Sequence, residues 1–211
     1  MTPSHSAVTP SPPLSTVYRL PSTVCWLFIL TFALFFSSLA LQQHHAFQTN
    51  GLDLGNVDQA LWNTAQGQFL QFSLMTPIEN RLALHVEPIL LLFVPFYWVG
   101  LGGPELLLIA QATVVALGAW PVYQLAMVNG QWSTVNGQRS IVNEENSITN
   151  YQLPPSFNPW LALTFPLIYL LLPTLQSAVL FDFHAITLAP TFFCWRMWPW
   201  FRVKRRVSSF I

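Results

Sequence analysis

The 211-residue chain is 53% hydrophobic and only 8% charged, and its eight basic and eight acidic side chains cancel to a formal charge of zero. Soluble globular domains carry about 25% charged residues, so a chain this poor in charge cannot solvate the surface of a globule and must be a membrane protein. The zero net charge gives no sign of a nucleic-acid partner. Zinc-type Cys/His spacing, a glycine-rich phosphate loop and a nucleophile elbow are all missing from the sequence.

Residues 1–20 are rich in Pro, Ser and Thr, with Arg19 as the only fixed charge, and read as a disordered N-terminal tail. Residues 21–41 are apolar and uncharged, about the 20 residues that cross a hydrocarbon core, and are expected to form the first span. A cleaved signal peptide is the rival reading, but the run is long for one and its leading segment is barely basic. Cys25 and Cys194 both sit in apolar stretches and read as small buried hydrophobes rather than a disulfide.

An outer loop, 42–104, follows. Within it Asp53 is placed to cap a surface helix over 54–66. Leu54, Val57, Leu61, Ala65 and Phe69 recur at helical spacing on one face, and Asn56, Asp58, Gln59, Asn63 and Gln66 cover the other. Gly67 is the expected stop. After a polar connection to Arg81 comes His85-Val86-Glu87-Pro88, then an apolar run over 88–101. That run is short and carries Pro95, and runs of about 10–14 residues are more often re-entrant or interfacial than spanning.

Residues 105–128 form a second span and 157–181 a third, with Pro166 and Pro173 as expected kinks. The intervening inner loop, 129–156, holds a seven-residue repeat (Asn129-Gly130-Gln131 and Asn136-Gly137-Gln138 begin its two clearest copies) and reads as a flexible expansion. Asp182-Phe183-His184 breaks the apolar pattern before a fourth span over 185–201, with an aromatic belt of Trp195, Trp198 and Trp200. A basic tail, 202–211, contains Arg202, Lys204, Arg205 and Arg206.

Two topologies compete. If 88–101 spans, five crossings put Asp53 and Asp182 on opposite sides. If it is re-entrant, four crossings leave both chain ends in the cytoplasm, the basic cluster obeys the positive-inside bias, and Asp53, His85, Glu87, Asp182 and His184 gather on the outer face. The second is adopted here, in a cytoplasmic (inner) membrane protein of all-α, multi-pass architecture. Two aspartates, a His-x-Glu-Pro and an Asp-x-His on one side form a candidate site for proton transfer or metal binding. Each residue also has a plainer role available: Asp53 as a helix cap, Asp58 as a solvated face residue, His85 and Glu87 as interface groups, Asp182 and His184 as the end of a span.

Asp53-Leu54-Gly55-Asn56-Val57-Asp58-Gln59-Ala60-Leu61-Trp62-Asn63-Thr64, Gly67, His85-Val86-Glu87-Pro88 and Phe181-Asp182-Phe183-His184 together resemble the family called domain of unknown function 2079, over roughly residues 51–193. That family is in turn distantly similar to the membrane glycosyltransferases of the GT-C fold, which take a sugar from a polyprenyl-phosphate carrier on the outer membrane face. The resemblance implies that Asp53 is the catalytic base or acceptor-orienting group. It implies that Asp58, His85, Glu87, Asp182 and His184 contact substrate, and that Glu87 and Asp182 hold a divalent ion if one is used. The basic residue often found in the short proline-ended motif of such enzymes is replaced here by Glu87. Such enzymes carry many more crossings, so the chain reads as an N-terminal portion of one. The competing function class is a non-enzymatic membrane component, either a transporter subunit or an assembly and interaction protein.

Overall fold

The computed structural model describes residues 14–127 and 158–208, so the expected repeat loop lies outside the described residues. The first helix, α1 (Leu14–His45), starts within the expected tail. No Gly interrupts Leu14–Leu20, and the helix runs on through Pro21, which removes a single N–H from the ladder. A wide turn at Gly51–Gly55 leads into α2 (Asn56–Ala65). Gly67, with φ of 90°, supplies the left-handed residue just past its end, as expected.

The polar connection is not featureless. Strands β1 (Gln71–Met75) and β2 (Ile78–Asn80) form an antiparallel hairpin with Gln71 opposite Asn80 and Met75 opposite Ile78, a departure from the all-α expectation. The polar face of α2 explains it. Asn63 donates to the carbonyl of Gln71 at 2.8 Å, and Gln59 exchanges bonds with the side chain and N–H of Ser73. These amides therefore bind strand rather than water.

The run after Pro88 forms a 3-10 turn (Pro88–Phe93) and a short helix, α3 (Val94–Trp98). Even at the 3-10 rise of about 2 Å per residue this segment falls well short of a hydrocarbon core of about 30 Å. Next comes α4 (Pro104–Leu117), which passes a turn at Gly118 and continues so that the whole rod is Pro104–Met127. Helices α5 (Thr164–Leu171) and α6 (Pro173–Leu180) belong to one apolar stretch bent by 45°. The break falls at Leu172, before Pro173. Pro166 causes none, because it sits in the first turn of α5, where its missing N–H has no helical partner to lose. After a 3-10 turn at Ala185–Leu188 the chain ends in α7 (Ala189–Ser208).

Among the described residues, Leu20–His45 and Pro104–Met127 are long and apolar enough to cross a membrane, and the bent pair makes a third if it is one span. The expected fourth, 185–201, is split by the 3-10 turn. Its helix runs on into the basic cluster, which takes it outside that class.

The core lies in two zones. In one, Cys25, Ile29 and Phe32 of α1 meet Ala112, Val115 and Ala116 of α4. In the other, Leu54, Val57 and Leu61 of α2 pack with Leu90, Phe93 and Phe183. The second zone joins the 50s, the 90s and the 180s at one end of the helices.

Candidate functional site

Asn50 begins the site. Its side chain accepts from the N–H of Leu52 at 2.9 Å and its carbonyl from the N–H of Leu54, so Asn50 caps the turn that Asp53 was expected to cap. Its own N–H donates to Asp182 Oδ2 at 2.7 Å. That bond joins positions 132 residues apart and places the Asp182 segment against the Asp53 turn.

Freed from capping, the half-buried Asp53 directs Oδ1 at His184 Nε2, 3.6 Å away. His184 Nδ1 lies 3.0 Å from the carbonyl of Asp182. A carbonyl only accepts, so Nδ1 carries a proton, and Nε2 is the ring atom turned to Asp53. A hydroxyl set against these two atoms has a carboxylate and an imidazole nitrogen within reach of its proton.

Asp182 itself is buried, 7% exposed. Burial pushes its carboxyl above the usual range, and the nearby Asp53 charge adds to that. The Asn50 N–H, His184 and His44 pull the other way. Asp182 is thus a tie between segments and not a wall residue.

Asp53 and His184 face a cavity of about 720 Å³, within the usual range for small-molecule sites. Asn50, Asn56, Arg81, His85 and Glu87 contribute its other polar walls, and Leu52, Val86, Phe183 and Ile186 the apolar ones. The sequence reading passed over Arg81. Its Nη2 lies 2.7 Å and its Nε 3.1 Å from Glu87 Oε2, while Nη1 donates to Asn56 Oδ1 at 3.2 Å. Asn56, assigned to the solvated face of α2, is buried for this reason. One signal was legible: Arg81 is the sole Arg or Lys between residues 42 and 104.

Asp58 does not join the cavity. It accepts from Tyr97 Oη at 2.7 Å and so ties α2 to α3. Burial pushes its carboxyl up, the Tyr97 hydroxyl bond lowers it, and Glu105 raises it further. Phe69, expected on the apolar face, is half-exposed, because the left-handed turns at Gly67 and Leu70 carry it off the helix. The proposed metal pair does not fit. Glu87 is committed to Arg81 and Asp182 to Asn50, and among the described residues no group of three or more His, Cys, Asp or Glu side chains is placed to hold an ion.

A helical membrane protein with a polar cavity at the end of its apolar helices is the class that this fold defines. The family described as "Predicted membrane protein (DUF2079)" matches residues 43–210, and the chain belongs to it. No curated protein and no solved structure matches the chain.

Proposed function

We propose that this protein is a GT-C-like glycosyltransferase, or the part of one that holds its acceptor site, using a polyprenyl-phosphate-linked sugar at the outer face of the cytoplasmic membrane. The observation that supports this reading is the meeting of Asp53, His184 and a buried Arg81 at one cavity that also has apolar walls. In the reaction the acceptor oxygen attacks the anomeric carbon. The bond from that carbon to the phosphate oxygen breaks, and the phosphate leaves with the electron pair. The hydroxyl proton passes to Asp53, with His184 Nε2 beside it.

Arg81 is the cation that the His85-Val86-Glu87-Pro88 motif lacks. A guanidinium has five N–H donors and three are used on Glu87 and Asn56, which leaves two for a phosphate. Leu52, Val86 and Ile186 suit the first units of a lipid chain. The outer orientation rests on α7 as a fourth crossing. Arg19 and the cluster at 202–206 then share the side opposite the site, which the positive-inside bias makes cytoplasmic.

A direct test supplies the full chain in lipid nanodiscs with a polyprenyl-phosphate sugar and follows release of the carrier phosphate. Asp53→Asn is expected to lower the rate by about 10²–10⁴-fold, the range for removing a general base. An unchanged rate in that variant removes the assignment. A non-enzymatic membrane component is the second reading, favoured by the Arg81–Glu87 pair, which is satisfied without any ligand. It is the outcome if the native chain neither binds nor turns over the carrier.

A further inference from the structure

Gln111 is fully buried in α4, about two turns from its start at Pro104. An amide inside an apolar rod needs partners, because nothing in the hydrocarbon region replaces water. Gln111 finds all of them on one segment. Its Nε2 lies 3.1 and 3.3 Å from the carbonyls of Ala178 and Val179, and 3.4 Å from those of Phe181 and Asp182. Its Oε1 accepts from the His184 N–H at 2.9 Å and from Thr187 Oγ1 at 3.0 Å.

The last carbonyls of any helix have no intrahelical donor, and the first N–H groups of the next turn have no acceptor. Helix α6 ends at Leu180 and the 3-10 turn starts at Ala185. The side chain of Gln111 serves both ends at once, donating to the closing carbonyls of α6 and accepting from the turn that follows. Thr187 Oγ1 also lies 2.7 Å from the His184 carbonyl, so its single hydrogen is shared between that oxygen and Gln111 Oε1. The segment between these ends carries Asp182, which holds Asn50, and His184, which faces Asp53.

We infer that Gln111 is the positioning residue of the site: through its two-ended amide, α4 fixes the 181–187 segment so that the His184 imidazole stands opposite Asp53. Helix glue alone would need one bond between two rods. Here the same amide reaches past the last carbonyls of α6 to the Phe181 and Asp182 carbonyls and the His184 N–H, the non-helical backbone that carries the imidazole. The catalytic consequence rests on the glycosyltransferase reading, whereas the positional one does not.

The test reads position without activity. Cysteines at the exposed wall residues Leu52 and Ile186, in a full chain carrying Cys25→Ala and Cys194→Ala, take nitroxide labels. Dipolar broadening in nanodiscs then reports whether the two walls stay close. Gln111 should give broadening, and Gln111→Leu should lose it while the protein stays monodisperse and helical. Gln111→Glu is the decisive arm, and it also serves if the Leu variant fails to fold. A buried carboxyl there donates only when protonated, so broadening should be present at acid pH and vanish as pH rises. The chain with native Gln111, titrated in parallel, removes any contribution from Asp182 and His184.

Unchanged broadening in Gln111→Leu overturns the inference, as does pH-independent behaviour of Gln111→Glu. Where transfer is measurable, Gln111→Leu should lower kcat on the order of 10²-fold, as a misplacement of about 1 Å does, with KM little changed. Broadening that follows these rules in a chain with no transferase activity leaves the positioning role standing and removes only the enzyme reading.

Discussion

Asp53 and Asp182 flank the same turn, yet their surroundings divide their roles. Asp53 keeps a third of its side-chain surface open and faces an imidazole, whereas Asp182 is buried and accepts a backbone N–H. A buried carboxyl with a raised pKa stays protonated in the folded state at pH values where the unfolded chain has already released the proton. The folded state then binds more protons, so stability falls as pH rises, from the ordinary carboxyl value near 4 through the raised one. Asp182→Asn keeps an acceptor for the Asn50 N–H and removes the titration. Thermal melts of the variant across this window should therefore fall less steeply with pH than those of the native chain. An identical slope would mean that Asp182 ionises as freely folded as unfolded. Arg81 offers a second residue-scale prediction. Arg81→Ala leaves the Glu87 carboxylate without its partner and Asn56 without a donor, at a cost of about 1.5–3 kcal/mol. Glu87→Gln retains an acceptor and should cost less. Equal midpoints for the two variants in chemical denaturation would contradict the pairing.

At the scale of elements, α4 is the post on which the others hang. Tyr169 of α5 donates to the Val115 carbonyl at 3.0 Å, and Thr191 of α7 donates to the Val114 carbonyl at 2.9 Å. Both hydroxyls reach these carbonyls because Gly118 leaves a notch. A methyl group there would run into the Tyr169 hydroxyl and Thr191 Oγ1. Gly118→Ala should destabilise by about 1–3 kcal/mol, the usual cost of overpacking. Tyr169→Phe, which removes the obstructing oxygen, should recover part of that loss in the double variant. Strictly additive effects would show that the two do not meet. Helix α2 shows how an element can be read well and its partners missed. Its periodicity identified Leu54, Val57 and Leu61 as buried, but Gln59 and Asn63, polar and thus assigned to water, hold the hairpin.

For the whole molecule, the order of spans decides which residues share a side. The segment at Pro88–Trp98 is shorter than a bilayer crossing; on the proposed topology α4 therefore leaves from the side of the site and the bent pair α5–α6, as one span, brings the chain back to it. Reporters after Gly67, Gly103 and His184 should map to one compartment, and one after Met127 to the other. Gly67 and Gly103 on opposite sides would make the 88–98 segment a crossing and break the site apart. A further reporter after Ser208 should fall with Met127, as the outer orientation requires.

Much of this was legible in the sequence, and the reason is local. A span is set by a run of apolar residues whose backbone bonds close within the run. The membrane class, the two long rods and the bend at Pro173 therefore follow from the apolar runs and the proline that interrupts one of them. Partner choice has no such local rule. That Asn50 caps the turn and releases Asp53, that Asp58 goes to Tyr97, that Arg81 takes Glu87, and that Gln111 gathers the 180s all depend on chain segments meeting across tens of residues. Each buried polar group must find a partner, but only the packing of the helices determined which one was within reach.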